Sequence, residues 1–241
     1  MTTNAVRGRT RYPGTIDGRL RGTFIPTHLT DLSRWYRADS LALNDSDAVS
    51  QWLDESGNEV NMEQGTGASQ PLYKTNILNG KPVLRFDGSD DFLWASYTKP
   101  ARLTLMAVLS PRNATARMLL SGGVDSNEDI PWVTMGINNA TTFRYYISTG
   151  WRFIGTAHAT NEYKLHTLTF DTTTWRRYLN GGTADTLTAN QNGDSGNLFL
   201  GRGYGGAAAC DIAEVIAYSR VVTDTERALL LSYLNGKYAL W

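Results

Sequence analysis

The chain has 241 residues and a mass of 26.7 kDa, with 41% hydrophobic, 19% charged and 11% aromatic residues. This composition excludes a disordered, collagen-like or disulfide-built protein, and a chain of this length buries a core without metal or cross-links. The 23 basic and 23 acidic residues cancel, and no apolar run approaches the ~18 residues that cross a bilayer, so no membrane insertion is expected.

The charge is uneven along the chain. Residues 1–27 hold Arg7, Arg9, Arg11, Arg19 and Arg21 against Asp17, which leaves the remainder mildly acidic. Residues 1–22 carry few large apolar side chains and a Tyr12-Pro13-Gly14 turn, so they read as a basic arm with no core of its own. Residues 23–241 read as one domain. Spaced arginine forks suit docking on an acidic neighbouring surface. Without an aromatic platform or a basic body, nucleic acid is not the expected partner. No apolar stretch follows the arginines, so no secretory signal is expected.

From Phe24 onward, short β-branched and aromatic runs are bounded by Gly, Asn and Asp, which predicts an all-β chain of antiparallel strands. Strands are expected over 49–53, 82–86, 92–95, 103–109, 118–121, 132–137, 143–148, 152–155, 165–171, 175–179, 198–201 and 212–219. Such a series folds as a sandwich or jelly roll. The segments 165–171 and 175–179 should form one hairpin, followed by an Asn180-Gly181 turn that takes positive φ. One helix is expected over about 223–238. Thr223 and Glu226 form a capping box there, and Ala228, Leu229, Leu231, Tyr233, Leu234 and Tyr238 recur at near-helical spacing until Gly236 weakens the last turn. It should pack on the sandwich.

Two polar turns have mechanisms of their own. In Asp54-Glu55-Ser56-Gly57-Asn58, short side chains bond their own backbone while Gly57 takes positive φ, after a buried Trp52. Phe86-Asp87-Gly88-Ser89-Asp90-Asp91-Phe92 joins two strands whose flanking Phe residues should both reach the core. Cys210, in a small apolar context, reads as a buried hydrophobe with no activating partner.

Five segments in this order resemble the bacterial and phage branch of the LamG-like, concanavalin A-like lectin/glucanase superfamily. They are Trp35-Tyr36-Arg37-Ala38-Asp39-Ser40-Leu41, Val49 through Asn58, and Asn79 through Leu93 with its Phe86-Asp87-Gly88 turn, then Tyr178-Leu179-Asn180-Gly181 and Ile212 through Arg220 feeding the helix. The resemblance covers nearly the whole body. It implies a concanavalin A-like sandwich, whereas function must be argued from sites.

Some members of the superfamily hold calcium at loop carboxylates, and Asp87, Asp90 and Asp91, or Asp125, Asn127 and Asp129, offer such oxygens here. No cofactor is required, and neither a Cys pair nor a His-x3-His spacing exists for zinc. Laminarinase-like members carry a Glu-x-Asp-x-x-Glu catalytic strand, a pattern that none of the seven Glu opens. A non-enzyme is therefore expected. Glu214, within a strand, should point outward or pair with an arginine. Sugar binding needs aromatic faces beside polar groups, for which Trp132, Tyr145, Tyr146, Trp151 and Tyr204 are the candidates, with core packing the competing reading for Trp132 and Trp151.

The resulting expectation is a phage virion protein, made in the host cytoplasm. It would be a capsid decoration or a head or tail fibre component whose arm docks on capsid or tail proteins. The alternative is a lectin-like module for cell-surface or environmental glycans, with a glycoside hydrolase third. Self-association through a flat sheet face is open to it.

Overall fold

Twenty strands and one helix run through the residues that the computed structural model describes, namely 15–16, 19–20, 23–115, 117–123, 133–139, 142–147, 150–190, 196–203 and 205–241. In chain order the strands are β1 (Thr15–Ile16), β2 (Arg19–Leu20), β3 (Leu32–Arg37), β4 (Gln51–Trp52), β5 (Met62–Glu63), β6 (Leu72–Leu78), β7 (Lys81–Asp87), β8 (Leu93–Tyr97), β9 (Arg102–Pro111) and β10 (Met118–Gly123). There follow β11 (Val133–Asn139), β12 (Thr142–Ile147), β13 (Gly150–Ala157), β14 (Lys164–Asp171), β15 (Thr174–Leu179), β16 (Asp185–Thr188), β17 (Gly196–Leu200), β18 (Arg202–Gly203), β19 (Gly206–Ala207) and β20 (Ala209–Tyr218), then helix α1 (Asp224–Tyr238).

Two antiparallel sheets stack face to face. The back sheet runs β16-β15-β14-β9-β20-β7-β6, with β3 also on β20, and the front sheet runs β13-β12-β11-β10-β17-β8-β5-β4. Their inner faces enclose one core that includes Tyr36, Trp52, Phe86, Leu105, Leu168, Trp175 and Val215. A second core lies behind the back sheet, where Leu230, Leu234 and Tyr238 of α1 meet Val83, Met106, Val108, Leu165, Ala213 and Ile216. Strand β9 is thus covered on both sides, and its sequence is a near-continuous apolar run. Thr104 interrupts that run at no polar cost. Its Oγ1 donates to the Arg220 carbonyl and accepts from the Val222 amide.

Adjacent residues of β3 serve the two cores, Trp35 facing the helix layer and Tyr36 the sandwich. In β20 that alternation is broken on purpose. Ile212 and Val215 both enter the sandwich core, while a bulge between them turns Ala213 and Glu214 together toward α1. Without the extra residue the period of two would send the Glu214 carboxylate between the sheets.

Every strand expected from the sequence is present with its ends moved, and β14 and β15 form the expected hairpin. Asn180 and Gly181 both take positive φ, 46° and 71°, in the turn that follows. The helix starts as expected, with the Glu226 amide donating to Thr223 Oγ1 and the Thr223 amide to the Glu226 carboxylate. It runs past Gly236, and Ala239 takes the left-handed cap. Of the strands outside the expected ranges, β3 and β6 are the longest. Both mix polar residues into their apolar ones, and in β6 the run Lys74-Thr75-Asn76 lies where an edge strand can face water.

Two glycines are enforced by neighbours. At Gly201, φ is 77° and a Cβ would lie 2.2 Å from the Phe86 ring; at Gly88, φ is 86° and a Cβ would lie 2.7 Å from the Ala209 amide. Phe86 fills the core as expected. Phe92 does not: it is half-buried outside the sandwich, against Phe199 and under the Arg202 guanidinium.

Candidate functional site: the Trp94 groove

Strand β8 alternates strictly. Leu93, Ala95 and Tyr97 are buried, while Trp94 and Ser96 stand on the outer face, Trp94 with 41% of its surface exposed. Its cross-strand partners are Phe199 on one side and Glu63 on the other, and Glu63 in turn pairs with Gln51. Because β4 and β5 have two residues each, the sheet ends abruptly here. A groove of about 370 Å³ opens at that edge, lined by Glu59, Val60, Asn61, Glu63, Trp94, Ala95 and Ser96.

The loop forming its wall is held from behind. Asp54 Oδ1 accepts the Trp35 and Ser56 amides, and its Oδ2 accepts the Ser56 hydroxyl and the Val60 amide. Asn61 Oδ1 accepts the Asp54 amide at 2.9 Å, and Tyr36 Oη donates to the Val60 carbonyl at 2.6 Å. Gly57 takes the expected positive φ of 90°. The groove side of this wall carries uncommitted polar groups. Glu63 accepts Gln51 Nε2 on Oε1 alone, and the Asn61 amide nitrogen, the Glu59 carboxylate and the Ser96 hydroxyl have no partner among the described residues. An indole face beside acceptors and donors, on a braced backbone, is the arrangement that a sugar ring requires.

A larger cavity of about 720 Å³ lies between α1 and β3, lined by Phe24, Trp35 and Tyr233 together with Arg37, Asp39, Glu55, Lys81 and Lys237. Behind it is Glu214, which is 1% exposed. Its carboxylate accepts Trp35 Nε1 at 2.7 Å, Tyr233 Oη at 2.9 Å and Tyr238 Oη at 2.8 Å, and pairs with Lys237 Nζ at 2.8 Å. Lys237 also bridges to Asp39 at 2.7 Å. The expected arginine partner is thus a lysine, and the carboxylate points inward under the helix. Burial and the Glu214 charge push both tyrosines above the ordinary phenol range, so they act as donors and not as nucleophiles.

Of the aromatic residues singled out from the sequence, the described side chains include Tyr145 alone. Tyr145 is fully buried and is corrected to a core residue. It donates to His166 Nδ1, His166 Nε2 donates to His158 Nδ1 at 3.1 Å, and His158 Nε2 donates to the Glu162 carbonyl at 2.8 Å. The carbonyl can only accept, which sets every tautomer in this chain. Tyr146 and Trp151 are register partners on β12 and β13, with side chains outside the described set. Trp132 and Tyr204 lie outside the described residues, as do Asp125, Asn127, Asp129, Arg7, Arg9, Arg11 and Arg21; of Arg19 only the backbone, in β2, is described.

Asp87, Asp90 and Asp91 do converge, with carboxylate oxygens within 4.8 Å of one another. Those oxygens serve the turn itself. Asp91 accepts the Asp87 amide, Asp87 accepts the Ser89 amide, and Asp90 accepts the Ser69 hydroxyl. Burial lifts Asp91 to about 6. Another buried acid, Asp211, is a structural node, gripped by Arg85 through two bonds of 2.8 Å and by the Tyr163 hydroxyl at 2.6 Å. Cys210 is buried, as expected.

Trp94 was missed in the sequence, although the alternation Leu93-Trp94-Ala95-Ser96-Tyr97 carries the signal. A tryptophan on the polar phase of a period-two strand faces water.

The fold is an antiparallel β-sandwich backed by one helix. No protein-family model matches the chain, and no curated protein matches it. Among solved structures it is similar to the Trypanosoma rangeli sialidase, with a TM-score of 0.62 and 14% identity over 88% of this chain and 35% of the sialidase. It is also similar to the binding domain of botulinum neurotoxin DC in complex with SialylT, with a TM-score of 0.60 and 12% identity over 85% of this chain and 52% of the other. The receptor binding domain of botulinum neurotoxin D aligns with a TM-score of 0.60 at 10% identity. The chain therefore spans about a third of the sialidase and half of the neurotoxin domain. These likenesses establish the fold. The virion role expected from the arm has no support among them. Among the described residues no helix is long and apolar enough to cross a membrane.

Proposed function

We propose that this protein is a non-catalytic carbohydrate-binding module whose contact surface is the Trp94 groove. The observation that carries the reading is the exposed indole of Trp94, set between Glu63, Asn61 and Ser96 on a wall braced by Asp54 and Tyr36. A sugar's C–H face covers an aromatic ring while its hydroxyls reach fixed polar groups at the rim, and such anchors dominate binding energy. In support, solved neighbours of the same fold include a sialidase in complex with sialic acid and a neurotoxin binding domain in complex with SialylT.

Glu59 and Glu63 share the groove, yet both stand exposed at an open sheet edge. A glycosidase's acid works from a dehydrated pocket. Binding without turnover is the consequence. The test is a glycan panel probed with the wild-type chain and Trp94→Ala, with reducing ends assayed for every glycan bound. Binding lost in Trp94→Ala without release of reducing ends is the expected result. Binding that survives the substitution would sink the assignment of the groove.

A further inference from the structure

We infer that the Trp94 groove selects neutral or amino-bearing saccharides and rejects acidic ones, an inference that rests on the groove being the glycan site. Its charge pattern is one-sided. Two carboxylates, Glu59 and Glu63, line it, and among the described residues no lysine, arginine or histidine does. A third carboxylate, Asp54, sits behind the wall, where it accepts the Val60 amide.

Arg34 reaches the Ser96 carbonyl from beside the groove. Nη1 donates to the Ser33 carbonyl, Nη2 to the Ser96 carbonyl at 2.8 Å, and the plane lies 5.2 Å from the centre of the Tyr97 ring. Those bonds use one N–H on each terminal nitrogen and hold the guanidinium on the backbone and over the Tyr97 ring, outside the residues that line the groove. An acidic sugar in the groove would therefore face Glu59 and Glu63 with no basic side chain among the lining residues. A neutral hydroxyl or an ammonium would instead donate to the free Oε2 of Glu63 and to Glu59.

Near water's dielectric, two facing carboxylates give about five- to tenfold discrimination against a ligand carboxylate. That preference is opposite to the one a sialylated ligand would need.

The experiment uses the full chain and oligosaccharides that differ in one substituent. These are cello- and galacto-oligosaccharides, their uronic-acid counterparts, and glucosamine oligomers, titrated calorimetrically against wild type, Trp94→Ala and the double variant Glu59→Gln/Glu63→Gln. The expected result has three parts. Neutral or amino oligomers bind in a Trp94-dependent way, each uronic counterpart binds about five- to tenfold more weakly, and the double variant closes that gap. Trp94-dependent binding that favours the uronic oligomers would overturn the inference while leaving the groove assignment standing. No Trp94-dependent binding to any oligomer would overturn both. Circular dichroism and thermal unfolding of each variant exclude misfolding as the cause.

Discussion

Trp35 donates its indole N–H to Glu214 at 2.7 Å across the seam between β3 and β20, and the bulge in β20 is what turns the carboxylate to meet it. Three further donors, Tyr233, Tyr238 and Lys237, converge from the helix on the same two oxygens. Removing the acid leaves three hydrogen-bond donors without their acceptor and the Lys237 ammonium with Asp39 as its remaining partner. Glu214→Ala should cost about 3–5 kcal/mol, and Glu214→Gln, which keeps one acceptor oxygen but loses the charge and sets an NH2 group where the second stood, should cost less. Urea midpoints of the two variants at constant slope check this. Equal losses would mean that packing, and not the charge network, holds the helix.

The buried histidine chain sets a pH dependence. Burial lowers His158 to about 4 and His166 well below its ordinary value of 6.5. Between these limits the unfolded chain binds protons that the folded chain refuses, so stability rises with pH from about 4 to 6.5 and levels above it. His158 alone contributes about 3 kcal/mol across that window. Asp91 acts in the opposite sense. Its folded value of about 6 means that the native state holds the extra proton as pH rises from 3.8, which costs stability by pH 6. Asp91→Asn should therefore steepen the rise. Denaturation midpoints between pH 4 and 7 measure it, and a flat profile in the Asp91→Asn variant would contradict the neutral histidine chain.

Glycine substitutions separate backbone strain from collision. Gly57→Ala meets open space at a φ of 90° and should cost about 1–2 kcal/mol for the left-handed backbone alone. Gly201→Ala adds a Cβ 2.2 Å from the Phe86 ring, and overpacking raises the cost by about 1–3 kcal/mol or more. Thermal unfolding of the pair distinguishes the two contributions.

Trp94 should separate binding from folding. Its side chain is exposed and contributes to neither buried core, so Trp94→Ala should change stability by under about 1 kcal/mol while removing glycan binding. A loss of several kcal/mol in unfolding free energy would make Trp94 a packing residue.

The amino-acid order by itself determined the sandwich, because period-two alternation and turn chemistry act locally. Leu168 and Phe170 chose the sandwich face, Gly57 and Asn180-Gly181 chose turns, and Thr223 with Glu226 started the helix. The alternation that exposes Trp94 was equally local and was overlooked in favour of Tyr145, whose burial is not local. A ring on a strand of mixed pattern lies inside or outside according to what the other sheet brings over it, and here His166 and Phe143 close around it. Only the tertiary structure decided where the charges went. A one-residue bulge in β20 reversed the direction of Glu214, and two strands of two residues each ended the front sheet beside Trp94. Both depend on register between segments far apart in sequence. Register follows from the sum of many weak contacts, and no single residue type announces it.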